Sequence, residues 1–554
     1  MGCRVLILAA LWILLAAIAA GIGLLILDAL AAMTAARPAD RLFFAAWVGI
    51  AALAWGAFVA ALAMPLRAAA PWVGTAALVA GAFGLLRSHR LLRAVRMRAW
   101  LLFVALALVI AERSVAVGNL EDTGGYHWSI VQWYGAYGIP PGLGLFQWRL
   151  ATHSAWLALT AFFDGGVLES RVATLANGLL FLGCTWFFVV CAVRWIRGCA
   201  TLADRFAVGA LAFLLQLIGK WEMRLSPSPD IPVLLASVVV CWKLLADNAP
   251  ANADNSHDSF AAALLAVVAV SFKLNALPLA VVTGAFWFFQ MNQTWRVRIA
   301  GLTLLALLIA PVPIASWIST GCPLFPATFG CTEGPSAVGV SAVRGYAAII
   351  GATARHDIGA GLLLAALALA ILWWKRRRLP ANAFRGPVAI AVVGIAFTAW
   401  IAPTMRFAAG YLTILPALAF ATLTTPGRFA PRLEAAMRTG VVAALALAIA
   451  VPLYKEFIYP SLRARPLDSW AERKRGDASI NAPAPEWWLI PNRIDYGGPF
   501  AIARAADFEY AVSPQMTCWN HPLPCASNPP LSALPDVRLR DPSRGFAGGF
   551  VRGR

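Results

Sequence analysis

Val5-LILAALWILLAAIAAGIGLLI-Leu27 contains no charged residue. A helix over this stretch, rising about 1.5 Å per residue, is roughly 33 Å long and crosses the ~30 Å hydrocarbon core of a bilayer. Similar apolar runs recur at Leu179–Val193, Ile299–Trp317, Ala360–Trp374 and Val388–Ala402. The 554-residue chain is 60% hydrophobic and 13% charged, whereas soluble domains sit near half apolar and a quarter charged. Only segments that satisfy their own backbone hydrogen bonds are stable in hydrocarbon. The fold class predicted is therefore all-α, a polytopic transmembrane helix bundle.

The net charge of +19 raises the question of nucleic acid, and the placement of the charges answers it. Arg87, Arg90, Arg93, Arg96 and Arg98, and then Lys375, Arg376, Arg377 and Arg378, each lie against an apolar run. That is the positive-inside pattern of cytoplasmic loops, so membrane lipids are expected as partners and nucleic acid is not. Alternation from these loops predicts about fourteen spans, beginning near residues 5, 42, 72, 99, 172, 206, 231, 259, 276, 299, 355, 386, 407 and 439. The inner loops then carry twenty-one Lys and Arg against ten on the outer side. The short spans at 206–219 and 259–272 also fit a re-entrant hairpin, which preserves the parity. The domains predicted are N-terminal spans over 1–117, an outer loop with interfacial helices over 118–171, a transmembrane core over 172–454 and a small outer region over 455–554. That last region is short for an independent core, so docking onto the bundle is expected. The first run is too long for a signal peptide, and Cys3 lacks a lipoprotein cleavage context.

The cysteines bear on sidedness. Cys322 and Cys331 fall in one outer loop and Cys518 and Cys525 in the outer tail, where disulfides are permitted. Whether either pair bonds is open at this point. Cys184, Cys191 and Cys241 lie within spans and read as buried apolar residues.

Every unusual polar motif falls on the outer side. The first runs Gly118-Asn-Leu-Glu121-Asp122-Thr-Gly-Gly-Tyr126-His127-Trp128. Trp128, Trp133, Tyr134 and Tyr137 follow with the aromatic content of an interfacial helix, which Gly138-Ile-Pro-Pro-Gly-Leu-Gly144 ends. A carboxylate pair at the membrane rim suits a general base; a solvated loop with a helix cap is the plainer account, and both stand here. Asp122-Thr-Gly spells the aspartic protease triplet, but that chemistry needs two such carboxylates in a β-fold, and no second triplet occurs. Further motifs are Lys220-Trp-Glu-Met-Arg224-Leu-Ser-Pro-Ser-Pro-Asp230-Ile-Pro232, Ser271-Phe-Lys273-Leu-Asn275-Ala-Leu-Pro278, Ser319-Thr-Gly-Cys322-Pro-Leu-Phe-Pro326 and Pro403-Thr-Met-Arg406-Phe. Ionisable groups at membrane depth are costly and point to function. Lys273, Arg406 and Arg224 are cations suited to a lipid phosphate, or to snorkelling.

The Glu121-Asp122-Thr-Gly-x-Tyr-His run, Pro-Gly-Leu-Gly, Ser-Pro-Asp-Ile-Pro, Phe-Lys-Leu-Asn-Ala-Leu-Pro, Gly-x-Pro-Leu-Phe-Pro and Cys518-Trp-Asn-x-Pro-Leu-Pro-Cys525 together resemble an uncharacterised family of large bacterial membrane proteins, over most of the chain beyond residue 110. Its layout is similar to the GT-C glycosyltransferase superfamily, in which an acidic residue of an early outer loop acts on sugars carried by polyprenyl phosphate. Here the acidic loop follows the fourth predicted span rather than the first. The resemblance implies an enzyme of the bacterial inner membrane, an inverting glycosyltransferase of cell-envelope glycan synthesis. Its partners would be a polyprenyl-phosphate-linked sugar and a glycan or lipid acceptor. Asp122, or alternatively Glu121, would be the general base, and Asp230 would position the acceptor or a divalent cation. Lys273, Arg406 and Arg224 would bind the donor phosphate, while Tyr126, His127, Arg149 and Asn275 would contact substrate. A lipid-linked glycan flippase or transporter, and an O-antigen polymerase or ligase, share the many spans and are the alternatives.

The topology is checked with reporter fusions. A fusion after Arg378 is expected to read cytoplasmic and one after Arg475 periplasmic; the same compartment for both would overturn the span count between them.

Overall fold

The computed structural model describes residues 3–33, 36–115, 122–220, 223–247, 256–289, 294–352, 358–375, 381–425, 431–458, 500–513, 517–527 and 536–553. Helix accounts for 76% of the structure. Among the described residues, nine helices are long and apolar enough to cross a membrane. They begin with α1 (Cys3–Ala29), α2 (Pro38–Ala63) and α3 (Leu66–Arg87). The short α4 (His89–Ala94) and α5 (Met97–Glu112) lead to the acidic loop, which is followed by α6 (Trp128–Tyr137), α7 (Leu143–Phe146) and α8 (Ala155–Phe163). Next come α9 (Leu175–Ile196), α10 (Leu202–Lys220), α11 (Asp230–Asp247), α12 (Ser256–Phe272) and α13 (Leu277–Phe288). α14 (Trp295–Ile309) and α15 (Pro311–Thr320) form one apolar rod interrupted at Pro311, and α16 (Val340–Ala352), α17 (Gly359–Lys375), α18 (Ala381–Ile401), α19 (Met405–Leu423) and α20 (Pro431–Ile458) complete the helices.

The structure departs from the sequence expectations in three places. The span predicted from residue 206 begins at Leu202 and is full length. Asp204 and Arg205 make its first turn look polar, but Asp204 Oδ1 is 2.8 Å from Arg194 and its Oδ2 is 2.9 Å from Arg37. α6 is not an exposed interfacial helix: Trp128, Ile130, Val131, Trp133 and Tyr134 are fully buried. The cover comes from the C-terminal region, where Phe546 and Phe550 lie 6.0 and 5.9 Å from the Trp133 ring. Among its described residues that region also carries strands beside the 3-10 turn Pro542–Gly548. It holds β1 (Ala501–Arg504), β2 (Glu509–Ser513), β3 (Cys525–Ser527), β4 (Val537–Leu539) and β5 (Phe550–Arg552), so the fold is a helical bundle carrying short strands rather than purely α. β1 pairs antiparallel with β2, β2 parallel with β3, and β4 antiparallel with β5. Both expected cysteine pairs are joined, Cys322 to Cys331 and Cys518 to Cys525, and Cys184, Cys191 and Cys241 are buried and free.

The N-terminal helices pack through small residues, as helices do where no hydrophobic force separates side chain from lipid. A Cβ on Gly49 of α2 would stand 1.7 Å from the Ala19 carbonyl oxygen of α1, and one on Gly21 of α1 would stand 2.0 Å from that of Gly81 in α3. Trp12 then reaches into the bundle, its Nε1 donating to the Leu175 carbonyl at 2.9 Å. Deeper, Phe43 stacks on Phe187 at 3.9 Å, with Trp242 edge-on to Phe187 at 4.9 Å.

This packing yields a prediction about stability. Gly49→Val forces α1 and α2 apart and is expected to cost about 1–3 kcal/mol, seen as a lower unfolding temperature in detergent. Gly56→Val on the same helix, where an added Cβ meets nothing within 4 Å, is expected to be neutral. Equal behaviour of the two would refute the close-packing account.

Candidate functional site

Prolines and caps bring four distant segments to one end of the bundle. Ser226-Pro-Ser-Pro229 separates α10 from α11 and leaves Asp230 in the first turn of α11, where the helix dipole favours a carboxylate. The Asn177 amide holds that segment by donating to the carbonyls of Ser226 at 2.5 Å and Ser228 at 2.9 Å. Trp156 Nε1 in turn donates to Asn177 Oδ1 at 2.8 Å. Ser154 caps α8 and donates from Oγ to the Phe272 carbonyl at 2.7 Å, fixing the residue before Lys273. Thr404 caps α19, which places Arg406 in its first turn, and Tyr411 of α19 donates to the Asn275 carbonyl at 2.7 Å. Asp122 opens a π-helical turn, Thr123–His127, that runs directly into α6.

The side chains meet as one ion-pair network. Arg406 binds Asp122 Oδ2 through Nη2 and Asp230 Oδ2 through Nε, the latter at 2.6 Å. Lys273 Nζ binds Asp230 Oδ1 and sits 4.0 Å above the Phe407 ring. Ser228 Oγ donates to Asp230 Oδ2 at 3.2 Å. The Asp230 side chain is 0% exposed and both its oxygens are engaged, whereas that of Asp122 is 29% exposed. Asp122 Oδ1 and Arg406 Nη1 have no partner among the described residues. Two carboxylates and two cations balance in charge, yet reachable hydrogen-bonding positions remain on both signs.

The turn that carries Asp122 lies outside the spans, and its electrostatics are set by the network. Burial raises the Asp122 carboxyl, but the charge of Arg406 and then that of His127 bring it below its ordinary value. Asp122 is therefore ionised at neutral pH. Burial drives His127 down to about 4, with nearby Asp122 and Asp230 opposing Arg406 and Lys273, so its imidazole is neutral. Both ring nitrogens of His127 lack a hydrogen-bond partner among the described residues. Tyr126 packs on His127 at 4.3 Å, and the Arg149 guanidinium lies 5.9 Å from the Tyr126 ring centroid. Thr123 Oγ1 is 2.6 Å from Ser226 Oγ, so the Asp-Thr-Gly triplet joins the Asp230 segment rather than a second triplet.

Of the residues expected from sequence, Asp122, Asp230, Lys273 and Arg406 are in direct contact, with Tyr126, His127 and Arg149 beside them. The Asn275 side-chain oxygen and nitrogen lack partners among the described residues. Arg224 is buried and donates to the carbonyl of Arg113 at 2.9 Å. Glu121 lies outside the described residues. No group of three or more His, Cys, Asp or Glu that could hold a metal stands together among the described residues, and the Asp230 oxygens already face two cations. Asn177, Ser228 and Phe407 were missed by sequence reasoning; an asparagine inside an apolar run was the available signal for the first.

A membrane-embedded helical bundle with a charged cluster at one end is the class of protein these features define. The chain belongs to the family described as a domain of unknown function (DUF8201), whose model matches residues 5–355. The match takes in α1–α5, the helices ahead of the acidic loop, and continues through α16. No curated protein and no solved structure matches the chain.

The electrostatics predict acid sensitivity with a definite sign. Above pH 6.5 both folded and unfolded chains carry neutral His127, and there is no penalty. Between 6.5 and about 4 the unfolded chain binds that proton first, so stability falls as pH falls, by about 3 kcal/mol in full. The contribution of ionised Asp122 is present above the ordinary carboxylate value and is lost in still stronger acid. Unfolding temperatures in detergent from pH 7 to 4.5 are expected to drop in the wild type and to flatten in His127→Phe. Parallel curves would refute the assignment.

Proposed function

We propose that this protein is a GT-C-like inverting glycosyltransferase of the bacterial inner membrane, moving a sugar from a polyprenyl-phosphate donor to a glycan or lipid acceptor on the periplasmic face. On this reading the apolar helices make fourteen crossings, and the end that carries Asp122 faces outward together with the C-terminal region. The observation that carries the reading is the convergence of Asp122, Asp230, Lys273 and Arg406 from four distant segments, with one carboxylate reachable and one sealed.

The acceptor hydroxyl oxygen attacks the anomeric carbon as the bond from that carbon to the phosphate oxygen breaks. Asp122 takes the hydroxyl proton, and the leaving polyprenyl phosphate keeps the bonding electrons. Lys273 and Arg406, which retain N–H groups not committed to carboxylates, receive that negative charge as it develops, where electrostatic preorganisation is worth most. Direct displacement inverts the anomeric centre. Asp230, with no exposed oxygen, serves as the fixed counter-ion that aims both cations. His127, neutral and beside Asp122, is suited to hydrogen-bond a hydroxyl.

The test is genetic and biochemical together. Asp122→Asn is expected to insert and fold, to bind polyprenyl phosphate normally by native mass spectrometry, and to lose turnover by roughly 10²–10⁴-fold, the range of general-base catalysis. Turnover is read as lipopolysaccharide or capsule profiles in a deletion strain complemented with each variant. Lys273→Met is expected to weaken donor binding first. Full complementation by Asp122→Asn removes it as the base. Dependence on the cations with neither carboxylate required would favour a lipid-linked glycan transporter.

A further inference from the structure

The strongest unassigned feature is the disulfide-closed loop Cys518-Trp-Asn-His-Pro-Leu-Pro-Cys525, which lies nearly four hundred residues from Asp122 in sequence and against it in space. We propose that this loop is a working part of the site, with Trp519 and Asn520 as positioning residues that hold the turn carrying Asp122. The inference rests on Asp122 being the reacting carboxylate, but the clamp itself is observable without any activity.

Three sets of contacts make the clamp. The backbone N–H groups of Cys518 and Trp519 both donate to the Gly124 carbonyl, at 2.8 and 3.0 Å. The Trp519 indole lies so close on Gly124 that a Cβ there would stand 2.4 Å from the ring, which is why the position after Thr123 has no side chain. Trp519 itself adopts φ +46°, a left-handed conformation rare for a bulky residue, and such a residue persists only where its surroundings over-determine it. Finally, a single oxygen, Asn520 Oδ1, accepts from Trp128 Nε1 at 3.1 Å, Gln132 Nε2 at 3.2 Å and Ser170 Oγ at 2.9 Å. Gln132 Nε2 also reaches the His521 carbonyl at 3.2 Å.

These partners lie within the catalytic turn and directly after it. Trp128 and Gln132 are in α6, immediately after the π-helical turn, and Gly124 is inside it. A π-helical turn is an uncommon geometry that occurs mainly at functional sites, and this one runs through two consecutive glycines, the residues least able to fix a backbone. The order it lacks locally is supplied from the C-terminal loop. The loop is anchored in its turn: the disulfide closes it, β3 pairs with β2, and Phe146 stacks on Phe550 at 5.6 Å. Phe550 N donates to the Pro141 carbonyl at 2.8 Å. Removing the Asn520 oxygen leaves Trp128 Nε1 and Ser170 Oγ, on two buried residues, without their acceptor, and lets the turn move relative to Arg406.

The experiment uses the full-length protein in detergent. Asn520→Leu keeps the side-chain size and removes the acceptor; Asn520→Asp restores an oxygen at the same place. Asn520→Leu is expected to speed amide hydrogen exchange in the peptide covering 122–132 about tenfold or more while α1 and α2 are unchanged. Glycan output should fall about 10–100-fold with undecaprenyl-phosphate binding within twofold, and Asn520→Asp should recover most of both effects. Reducing the folded protein in a Cys322→Ser/Cys331→Ser background, where Cys518–Cys525 is the one expected bond left, is expected to loosen the same peptide without passing through folding. Unchanged exchange over 122–132 in both Asn520→Leu and the reduced protein overturns the clamp, as does failure of Asn520→Asp to rescue. If exchange rises as expected while Asp122→Asn retains full output, the clamp stands and the assignment of Asp122 as base fails.

Discussion

One guanidinium holds the charged end of this molecule together. Arg406 reaches Asp122 with one nitrogen and Asp230 with another, and those residues belong to an irregular turn, the start of α11 and the start of α19. A planar fork with fixed donor directions suits two carboxylates at once, as a flexible ammonium does not. Desolvating such groups is expensive, and a buried ion pair is on its own weak evidence for stability. The network is therefore better explained by what it keeps in place than by what it contributes to folding. The supporting bonds from Ser228, Asn177, Ser154 and Tyr411 fix the segments that bear Asp230, Lys273 and Arg406.

A second arginine in the molecule makes a similar arrangement and supplies a contrast. Arg194 bridges Asp40 at 2.6 Å and Asp204 at 2.8 Å. It lies near the far end of α9 from Asn177, about 25 Å away at the helical rise. There Asp204 has both oxygens engaged, taking bonds also from Arg37 and from the N–H and hydroxyl of Thr201. That cluster ties α2, α9 and α10 together. At the Asp122 end a carboxylate oxygen, a guanidinium nitrogen and an imidazole remain available. The same pair chemistry thus makes a staple at one end and leaves room for a ligand at the other, where the Asp122 side chain is 29% exposed against 13% for Asp40 and 2% for Asp204.

The helices were legible in the sequence because the bilayer demands long apolar runs, and among the described residues nine helices are long and apolar enough to cross it. Legibility failed where a charge is neutralised by a partner far away in sequence. Asp204 made the start of α10 look like a loop because Arg37 and Arg194 are invisible to a local window. It failed again for α6, whose aromatics have the composition of an interfacial helix, while Trp133 and Tyr137 pack against Phe546 and Phe550 from the other end of the chain. The C-terminal strands are only three to five residues long, too short for alternation to register, and the β2–β3 pairing is parallel and non-local. The four charged residues were individually visible as costly groups beside apolar runs, whereas their mutual contacts were not. Arg224 was visible in the same way, and its contact with the Arg113 carbonyl was equally beyond a local window.

The position of the charges bears on the kind of substrate the proposed reaction takes. Asp230 and Arg406 stand in the first turns of helices that are apolar for at least three turns beyond them, and Lys273 stands between two apolar helices. On the proposed reading their charges lie where the helices start, near the level of the bilayer's polar rim rather than far out in water. A soluble sugar nucleotide has no reason to be bound at that depth, whereas a phosphate on a polyprenyl chain is held there by its own hydrocarbon tail. The chain would stay in lipid while its headgroup meets Lys273 and Arg406, so binding energy from the tail is available without any contact at the reacting carbon. The acceptor then has to approach from the side covered by the C-terminal loop, past Asp122 and His127. That geometry divides the labour on the proposed reading: the bundle presents the donor, and the loop that closes over Gly124 sets where the acceptor's proton can go.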